Sequence, residues 1–348
     1  MVLVTVAELR TPENARSSRL HSPAVPVTFA GEDSGTIMLK KQMIFAALLL
    51  PAAAWAQSSL EQARAIACDP PAAPQRLVLA DLPKSTGKAT ALFDGRSLAG
   101  WQPWLGYADP ALTYRGDPNA KPVGTSRDTS GDFAVRQVDG APAIWIKGQT
   151  WGSLVNTADL RDYHLRLQYK WGTKTWAPRE KEPPNNGLLY HTHGQPGEVF
   201  GTWRPSVEFE IMKGSTGMIV MVGGKVRART TVALDPSLIA PHLRFRTTGR
   251  TVDMVNGTGT WNVEAATDAE RPIGQWNTLD LYVVGDRAIH VVNGVPVAEA
   301  RDLATVAPDG TRQPLTHGHI QLQSEGAETF FRAITVEPIR TLPRIMVK

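Results

Sequence analysis

Two glutamates on one predicted strand form the clearest candidate for proton-transfer chemistry in this sequence. Glu208 and Glu210 alternate with apolar residues in the segment SVEFEIM, residues 206–212. Residues two apart on a β-strand point the same way, with Cα atoms about 6.5–7 Å apart. Neighbouring carboxyl groups can be driven to different pKa values, which provides an acid and a base. The alternative is an edge strand whose polar outer face is merely solvated.

A pair of histidines is a second candidate and points to metal binding. His191 and His193 form an H-x-H motif on a predicted strand, which places both imidazoles on one side, and Glu198 follows. Imidazole and carboxylate groups bind divalent transition metals. The order is similar to the first metal motif of cupin-type jelly rolls, with Asn185 and Pro205 where that motif has glycines. Sugar contact or general-base chemistry by His191 is the favoured interpretation. We expect no cofactor, with a divalent metal at these residues as the alternative.

The composition describes a globular protein and excludes several function classes. The chain has 348 residues, of which 42% are hydrophobic and 20% charged, with a net charge of +4. Its Lys and Arg residues are scattered, which argues against a nucleic-acid partner. No stretch reaches the roughly 18 apolar residues of a membrane span. The single cysteine, Cys68, excludes an internal disulfide and a multi-thiolate zinc site. Nothing indicates the oligomeric state.

The N-terminal region predicts export. From residue 38 the sequence reads MLKKQMIFAALLLPAAAWAQ, in which two lysines precede an apolar run and a small-x-small cleavage site. This order is typical of a secretory signal peptide, which we place at residues 38–56. The mature chain then begins near Gln57 and is periplasmic or secreted. Residues 1–37 carry no apolar periodicity, and we interpret them as an upstream extension from a mis-assigned start.

Beyond this region the sequence predicts strands and almost no helix. Apolar and polar residues alternate across residues 163–171 and 319–325. The pair Asn293-Gly294, between two apolar runs, suits a type I′ hairpin because both central residues need positive φ. Many strands without interleaved helices predict an all-β antiparallel sandwich.

These patterns divide the mature chain into three parts. Residues 57–89, which include the proline-rich run DPPAAPQ, are predicted to be a leader or linker. The sandwich is placed at residues 90–338, and residues 339–348 are interpreted as a C-terminal tail. The proline-rich stretch 177–185 reads as a long loop between two strands, of the kind that overhangs a binding face.

Six segments in the right order resemble the 3-keto-disaccharide hydrolase domain family. They cover nearly all of residues 90–338 and read LFDGRSLAGW (92–101), YHLRLQYKWG (163–172), NNGLLYHTHG (185–194), SVEFEIMKGSTG (206–217), WNTLDLYVVGDRAIHVVNGVPV (276–297) and GHIQLQSEGAETFFRAITV (318–336). The resemblance implies a concanavalin A-like jelly-roll β-sandwich. It also implies an enzyme that cleaves 3-keto-glycosides or 3-keto-disaccharides, as a hydrolase or as a lyase and hydratase.

The substrate class implied by the resemblance suggests roles for the candidate residues. A keto group at C3 of the sugar acidifies the hydrogen at C2, so cleavage can proceed by α-proton abstraction and loss of the anomeric substituent. We expect Glu208, Glu210 and His191 to serve proton transfer. Lys170 lies on the polar side of its predicted strand and is expected to hold an enolate oxygen or a hydroxyl.

Four further residues are expected to bind the sugar. Tyr190 and Trp203 offer aromatic surfaces on which the C–H faces of a pyranose pack well. Gln323 and Glu325 belong to a polar row on the last predicted strands, which suits hydroxyl recognition. A non-catalytic carbohydrate-binding module on the same lectin-like scaffold is the alternative function, since a fold does not imply an activity. A cupin-like metal enzyme is a less favoured third interpretation.

Overall fold

The computed structural model describes residues 65–67, 69, 73–115, 119–239, 241–256 and 260–348. The predicted upstream extension, signal peptide and Cys68 lie outside these described residues. Within the described ranges, no helix is long and apolar enough to cross a membrane. The regular structure is almost entirely β, with one short 3₁₀-helix at Pro110–Leu112.

The described residues form strands that follow one another along the chain from residue 77 to residue 347. In chain order they are β1 (Leu77–Ala80), β2 (Thr90–Ala91), β3 (Trp101–Leu105), β4 (Phe133–Val138), β5 (Ala141–Ile146), β6 (Gly152–Asn156), β7 (Tyr163–Thr175), β8 (Asn185–Thr192), β9 (Ser206–Met212), β10 (Ile219–Val222), β11 (Val226–Leu234), β12 (Leu243–Phe245), β13 (Arg250–Val255), β14 (Asn262–Val263), β15 (Asn277–Val284), β16 (Arg287–Val292), β17 (Val295–Val306), β18 (Arg312–Pro314), β19 (His319–Ser324), β20 (Ala327–Pro338) and β21 (Arg344–Val347).

Two antiparallel sheets make up the sandwich. The front sheet has seven strands in the order β14-β10-β9-β8-β19-β6-β3. The back sheet has twelve, along the path β12-β11-β17-β16-β15-β7-β20-β5-β4 with β13, β18 and β2 attached at its sides. Neighbours in each sheet are often distant in sequence, as in a jelly roll. The predicted all-β antiparallel jelly-roll sandwich is therefore confirmed.

The core lies between the two sheets and follows from strand periodicity. On β7, Leu165, Leu167 and Tyr169 are completely buried, and on β9 so are Val207 and Phe209. All belong to one apolar cluster that joins both sheets. Burying each side chain of this size stabilises the fold by about 1.5–3 kcal/mol. The polar residues that alternate with them must then point away from the core, which decides where the site can lie.

The hairpin predicted at Asn293-Gly294 is confirmed. These two residues connect β16 to β17 and have φ values of 50° and 83°. Both lie in the left-handed region that a type I′ turn requires. The Asn293 side chain also donates to Ala269 O at 2.8 Å, which ties the turn to a neighbouring loop.

The predicted leader and tail are paired with each other. β1 and β21 form an antiparallel ribbon in which Leu77 pairs with Val347. Leu79 and Ile345 pack beside Tyr282 and Ile289 on the outer side of the back sheet. Residues outside the predicted sandwich thus cover part of that sheet.

Candidate active site

Glu208 and Glu210 lie on the side of the front sheet that points away from the core, here called the carboxyl face. Their strand β9 is an interior strand between β10 and β8. Although the face is turned outward, Glu208 is only 3% exposed and Glu210 only 6%. The two carboxyls therefore lie in a recess covered by loops. The interpretation as a solvated edge strand is wrong.

Gly187 on β8 makes room for two polar side chains of the carboxyl face. A Cβ at this position would lie 2.1 Å from Glu208 Oε1 and 2.6 Å from Gln323 Oε1. Both distances are well inside van der Waals contact, so any larger residue would displace these groups. The missing side chain thus lets Glu208 and Gln323 meet above the backbone of β8. Gln323 lies at the site, as predicted.

Glu325 completes the carboxyl cluster and is 4% exposed. Its Oε1 lies 2.9 Å from the Arg179 guanidinium and accepts a hydrogen bond from the Tyr114 hydroxyl at 3.2 Å. Its backbone N–H donates to Asn186 Oδ1 at 2.7 Å, which fixes its position after β19. Arg179 belongs to the loop 176–184 between β7 and β8. The proline-rich loop therefore overhangs this face, as predicted.

Burial raises the pKa values of all three carboxyl groups. For Glu208, burial is the largest cause, and the charges of Glu210 and Glu325 raise the pKa further. For Glu210, burial again dominates and Glu325 adds to it. For Glu325, burial raises the pKa, while Arg179 and the Tyr114 hydrogen bond lower it. Arg179 opposes the shift in all three, so three buried carboxyls face one guanidinium and retain protons at higher pH than usual.

Coupled carboxyls of this kind release their protons one at a time. A group that is still protonated can donate, while one that has already ionised can accept. A single cluster therefore holds both partners of a general acid–base reaction.

Aromatic side chains form a wall beside the cluster. The Tyr114 ring lies edge-on to Trp151 at 5.6 Å and to Phe200 at 5.2 Å between centroids. Arg179 lies 5.5 Å from the Trp151 ring centroid. Burial of its hydroxyl group raises the pKa of Tyr114, although the residue as a whole is 45% exposed, and Phe200 is 46% exposed. Exposed rings beside polar groups suit a ligand with both C–H faces and hydroxyls.

Buried polar atoms without hydrogen-bond partners gather on the carboxyl face. Among the described residues they include Asn185 Oδ1, Glu208 Oε1, Glu210 Oε1, Gln321 Nε2 and Gln323 Oε1. Leaving such an atom unpaired costs about 1–3 kcal/mol, so proteins retain few of them without a reason. Several acceptors and a donor in one recess match the hydroxyl groups of a polar ligand.

Lys170 does not lie at this site, and its predicted placement beside the carboxyls is wrong. It lies on β7 in the back sheet, where its ammonium donates to Asp139 at 2.8 Å. Its neighbours Tyr169 and Trp171 turn into the core, so Lys170 points out on the opposite side of the sandwich. Alternation identified its polar face but carried no information about which sheet the strand joins.

Tyr190 and Trp203 are both buried, so the prediction that they stack on a sugar is wrong. Tyr190 is completely buried between the sheets, with its hydroxyl 3.1 Å from His290 Nε2. Trp203 is 2% exposed, and its indole N–H donates to Gly152 O at 3.1 Å. Its ring stacks on Trp151 at 6.1 Å and so supports the aromatic wall from behind.

His191 is buried away from the carboxyl cluster. The pairing of β8 with β19 shifts register here, and His191 has a φ of 50°, so strand alternation does not apply to it. Neither of its ring nitrogens has a hydrogen-bond partner. Burial lowers the pKa of His191 to about 3, with His317 and His193 adding to the effect. The structure therefore does not bring His191 to Glu208 and Glu210 as a base.

The predicted metal ligands are not brought together either. His193 Nδ1 donates to the backbone oxygen of His191 at 2.9 Å, and the Glu198 carboxylate accepts from Gln195 N at 3.0 Å. Within the part of the chain that the structure describes, no cluster of three or more His, Cys, Asp or Glu side chains could hold a metal ion. His191, His193 and Glu198 therefore do not form one ligand set in the described structure.

Arg179 and Tyr114 are the site residues that the sequence did not reveal. Each lies in irregular structure, where no periodicity indicates the direction of a side chain. The available signal was the cluster of charged residues and prolines between β7 and β8, since a loop over a binding face is a natural source of a cation.

A family model described as the 3-keto-alpha-glucoside-1,2-lyase-like domain matches residues 88–337. No curated protein matches the chain significantly. Among solved structures, a provisionally assigned glycosyl hydrolase from Parabacteroides distasonis is 17% identical, with 73% of this chain and 100% of that chain covered and a TM-score of 0.41.

Two further solved structures are similar to this chain. A carbohydrate-binding module from Bacillus subtilis is 10% identical, with 59% of this chain and 92% of that chain covered and a TM-score of 0.34. A β-glucanase from Bacillus licheniformis is 11% identical, with 73% of this chain and 100% of that chain covered and a TM-score of 0.32. The family match spans every strand that contributes to the carboxyl face.

Proposed function

Because the chain belongs to the family of 3-keto-alpha-glucoside-1,2-lyase-like domains, we propose that it is an exported enzyme that cleaves 3-keto-glycosides at the carboxyl face. The observation that carries this proposal is the cluster of Glu208, Glu210 and Glu325 around one guanidinium. Such a cluster provides a proton donor and a proton acceptor within one recess, which is what this reaction needs.

The proposed reaction is an elimination. A carboxylate of the cluster takes the proton from C2, and the electrons of that C–H bond form an enolate with the C3 carbonyl. The enolate then returns its electrons to form a double bond between C1 and C2. The C1–O bond breaks, and a protonated carboxyl donates its proton to the leaving oxygen. Addition of water across the new double bond completes a hydrolysis.

Glu208 and Glu210 are the proposed proton-transfer pair. The raised pKa of both groups supports this role, because coupled carboxyls ionise one after the other, so one can keep a proton after its neighbour has ionised. Glu325 and Arg179 are proposed to orient the substrate, with Gln323 as a hydroxyl ligand. The exposed rings of Tyr114 and Phe200 are proposed to contact the C–H faces of the sugar, in place of Tyr190 and Trp203.

The test is turnover of a 3-keto-disaccharide, with the corresponding plain disaccharide as the matched substrate. We expect release of the leaving sugar from the keto compound alone. Glu208→Gln and Glu210→Gln should reduce the rate strongly, whereas Glu299→Gln, which alters a glutamate paired with the half-exposed Arg287, should not. Saturable binding of the sugar without turnover by the wild-type protein would replace this proposal by the carbohydrate-binding module.

A further inference from the structure

A cleft of about 310 Å³ lies beside the carboxyl face and contains none of the three carboxyls. Its lining comes from three segments, residues 108–111, 149–150 and 176–178. Ligand pockets in proteins span about 300–1,000 Å³, so this cleft has room for one small ring system. Nothing in the proposed proton-transfer chemistry uses these residues.

Each lining segment is followed closely in sequence by a residue that contacts Glu325 or one of its two partners. The segment 108–111 precedes Tyr114, whose hydroxyl donates to Glu325. The segment 176–178 precedes Arg179, which pairs with the same oxygen. The segment 149–150 precedes Trp151, which contacts both Tyr114 and Arg179. The Ser324 hydroxyl also donates to Thr150 O at 2.7 Å. The inner end of the cleft is therefore adjacent to Glu325.

The lining is mixed, with about as much polar as apolar surface. Ala108, Pro110, Ala177 and Pro178 expose small apolar surfaces, and Trp176 adds an aromatic ring. The carboxylate in the lining belongs to Asp109, which already accepts from Ala111 N at 2.9 Å and caps the 3₁₀-helix. A tryptophan ring beside such polar groups suits a ligand ring that has one C–H or aromatic face and polar substituents.

We propose that this cleft holds the leaving group of the glycoside and selects a single ring with one apolar face, either a second sugar or an aromatic aglycone. The inference rests on the proposed function, because it needs a bond to be cleaved beside Glu325. With the 3-keto ring over Glu208 and Glu210, the bond to the leaving group extends past Glu325 into the cleft. Trp176 then packs against the leaving ring.

The inference is tested with four 3-keto-glucosides that differ in their leaving group: methyl, phenyl, one sugar and two sugars. The wild-type protein should prefer the phenyl and one-sugar compounds to the methyl compound in kcat/KM. A second sugar in the leaving group should raise kcat/KM less than twofold, because the cleft ends after one ring. Trp176→Ala should lower kcat/KM for the ring-bearing compounds about 3- to 10-fold, the usual value of one aromatic contact, mainly through KM.

Two further variants separate specificity from folding. Ala108→Trp places a large side chain in the cleft from an exposed position. It should lower kcat/KM for the ring-bearing compounds and leave that of the methyl compound unchanged. Trp276→Ala, on the outer side of the back sheet, removes a tryptophan far from the cleft and should change nothing. The methyl compound is the control for displacement of Arg179 in the Trp176 variant. If Arg179 has moved, turnover of the methyl compound should fall as well.

The inference is overturned if the wild-type protein has the same kcat/KM for all four compounds. It is also overturned if Ala108→Trp lowers kcat/KM equally for the methyl and phenyl compounds. A kcat/KM for the two-sugar leaving group that is tenfold or more above that for one sugar would overturn it as well. Titration calorimetry with phenyl and methyl glucosides that lack the keto group makes the test independent of turnover. If no keto compound is cleaved, the proposed function fails. Tighter binding of the phenyl glucoside that is lost in Ala108→Trp would still support the cleft, and equal binding would reject it.

Discussion

The guanidinium of Arg179 and the carboxylate of Glu325 form a buried ion pair at 2.9 Å. Arg179 comes from an irregular loop and Glu325 from the end of a central strand. The same arginine opposes the burial-driven rise in the pKa values of Glu208 and Glu210. It therefore favours the ionised form of these carboxyls against the effect of burial.

Replacing Arg179 by Met should move the acidic limb of the pH–rate profile to higher pH. Arg179 favours the ionised form of each carboxyl, so its loss raises their pKa values and delays formation of the base. The measurement is kcat/KM against pH for a 3-keto-disaccharide. Arg287→Met, at a half-exposed pair with Glu299, is the matched control. An unmoved limb in the Arg179 variant would show that the cluster is not the base.

Glu208→Gln and Glu210→Gln should each lower turnover by roughly 10²–10⁴-fold, as loss of a general acid or base does. Because the raised pKa keeps a proton on the donor, wild-type activity should persist through neutral pH and fall on the alkaline side. Removal of the donor should flatten that alkaline limb. Near-full activity in both variants would exclude the pair and direct attention to Glu325.

Gly187→Ala should reduce activity by about 10²-fold, the effect expected of a misplacement near 1 Å. The new Cβ would lie 2.1 Å from Glu208 Oε1, so the carboxyl must move. We also expect a loss of roughly 1–3 kcal/mol in unfolding free energy from overpacking. Gly224→Ala is the control, since open space surrounds that position. Kinetics and urea unfolding of both variants check this, and a fully active Gly187→Ala enzyme would contradict the proposed position of Glu208.

His191 and His290 should make the fold sensitive to acid. Burial lowers the pKa of His191 to about 3 and that of His290 to about 4. The unfolded chain takes up these protons near pH 6.5, so stability is lost as the pH falls from there towards the folded-state values. Each histidine contributes a slope of up to about 1.4 kcal/mol per pH unit.

The comparison that isolates this effect is His191→Asn, because Asn tolerates the positive φ at this position and does not titrate. Its unfolding free energy should vary less between pH 6.5 and 4 than that of the wild-type protein. His242→Asn changes an exposed histidine that also has positive φ, and should leave the slope intact. The buried glutamates change the unfolding free energy with pH in the opposite direction. The quantity to compare is therefore the difference in pH dependence between the wild-type protein and His191→Asn. Identical slopes in wild type and His191→Asn would refute the assignment.

The exported protein should begin near Gln57. Residues 38–56 have the order of a signal peptide, in which small residues precede the cleavage site. Determining the N-terminal residue of the protein recovered from the periplasm or medium checks this. Recovery of a chain that retains residues before 38 would contradict both the start site and the cleavage.

Strand alternation predicted which side chains leave the core but not what they meet. It correctly set Glu208 and Glu210 apart from Phe209, because a period of two is enforced by burial of the apolar face. Alternation does not indicate that β7 belongs to the back sheet, and for this reason the predicted neighbours of Lys170 are wrong. Pairing between strands distant in sequence decides that assignment.

A similar limit explains why the predicted sugar contacts of Tyr190 and Trp203 are wrong. Tyr190 lies on the core side of β8, and its neighbour Leu189 lies on the carboxyl face, opposite Glu208. A tyrosine has both an apolar ring and a polar end, so its identity does not indicate its face. At His191 a register shift interrupts the alternation altogether. Arg179 and Tyr114 lie in irregular segments, where tertiary contacts alone set the direction of the side chain.

The ribbon of β1 and β21 joins residue 77 to residue 347, and this has a consequence for the order of folding. The two strands are separated by nearly the whole length of the described chain. Loop closure over such a separation is slow compared with the formation of local hairpins. We therefore expect the outer side of the back sheet to be covered late in folding. Until the ribbon forms, the apolar side chains of Tyr282 and Ile289 lack their cover from Leu79 and Ile345.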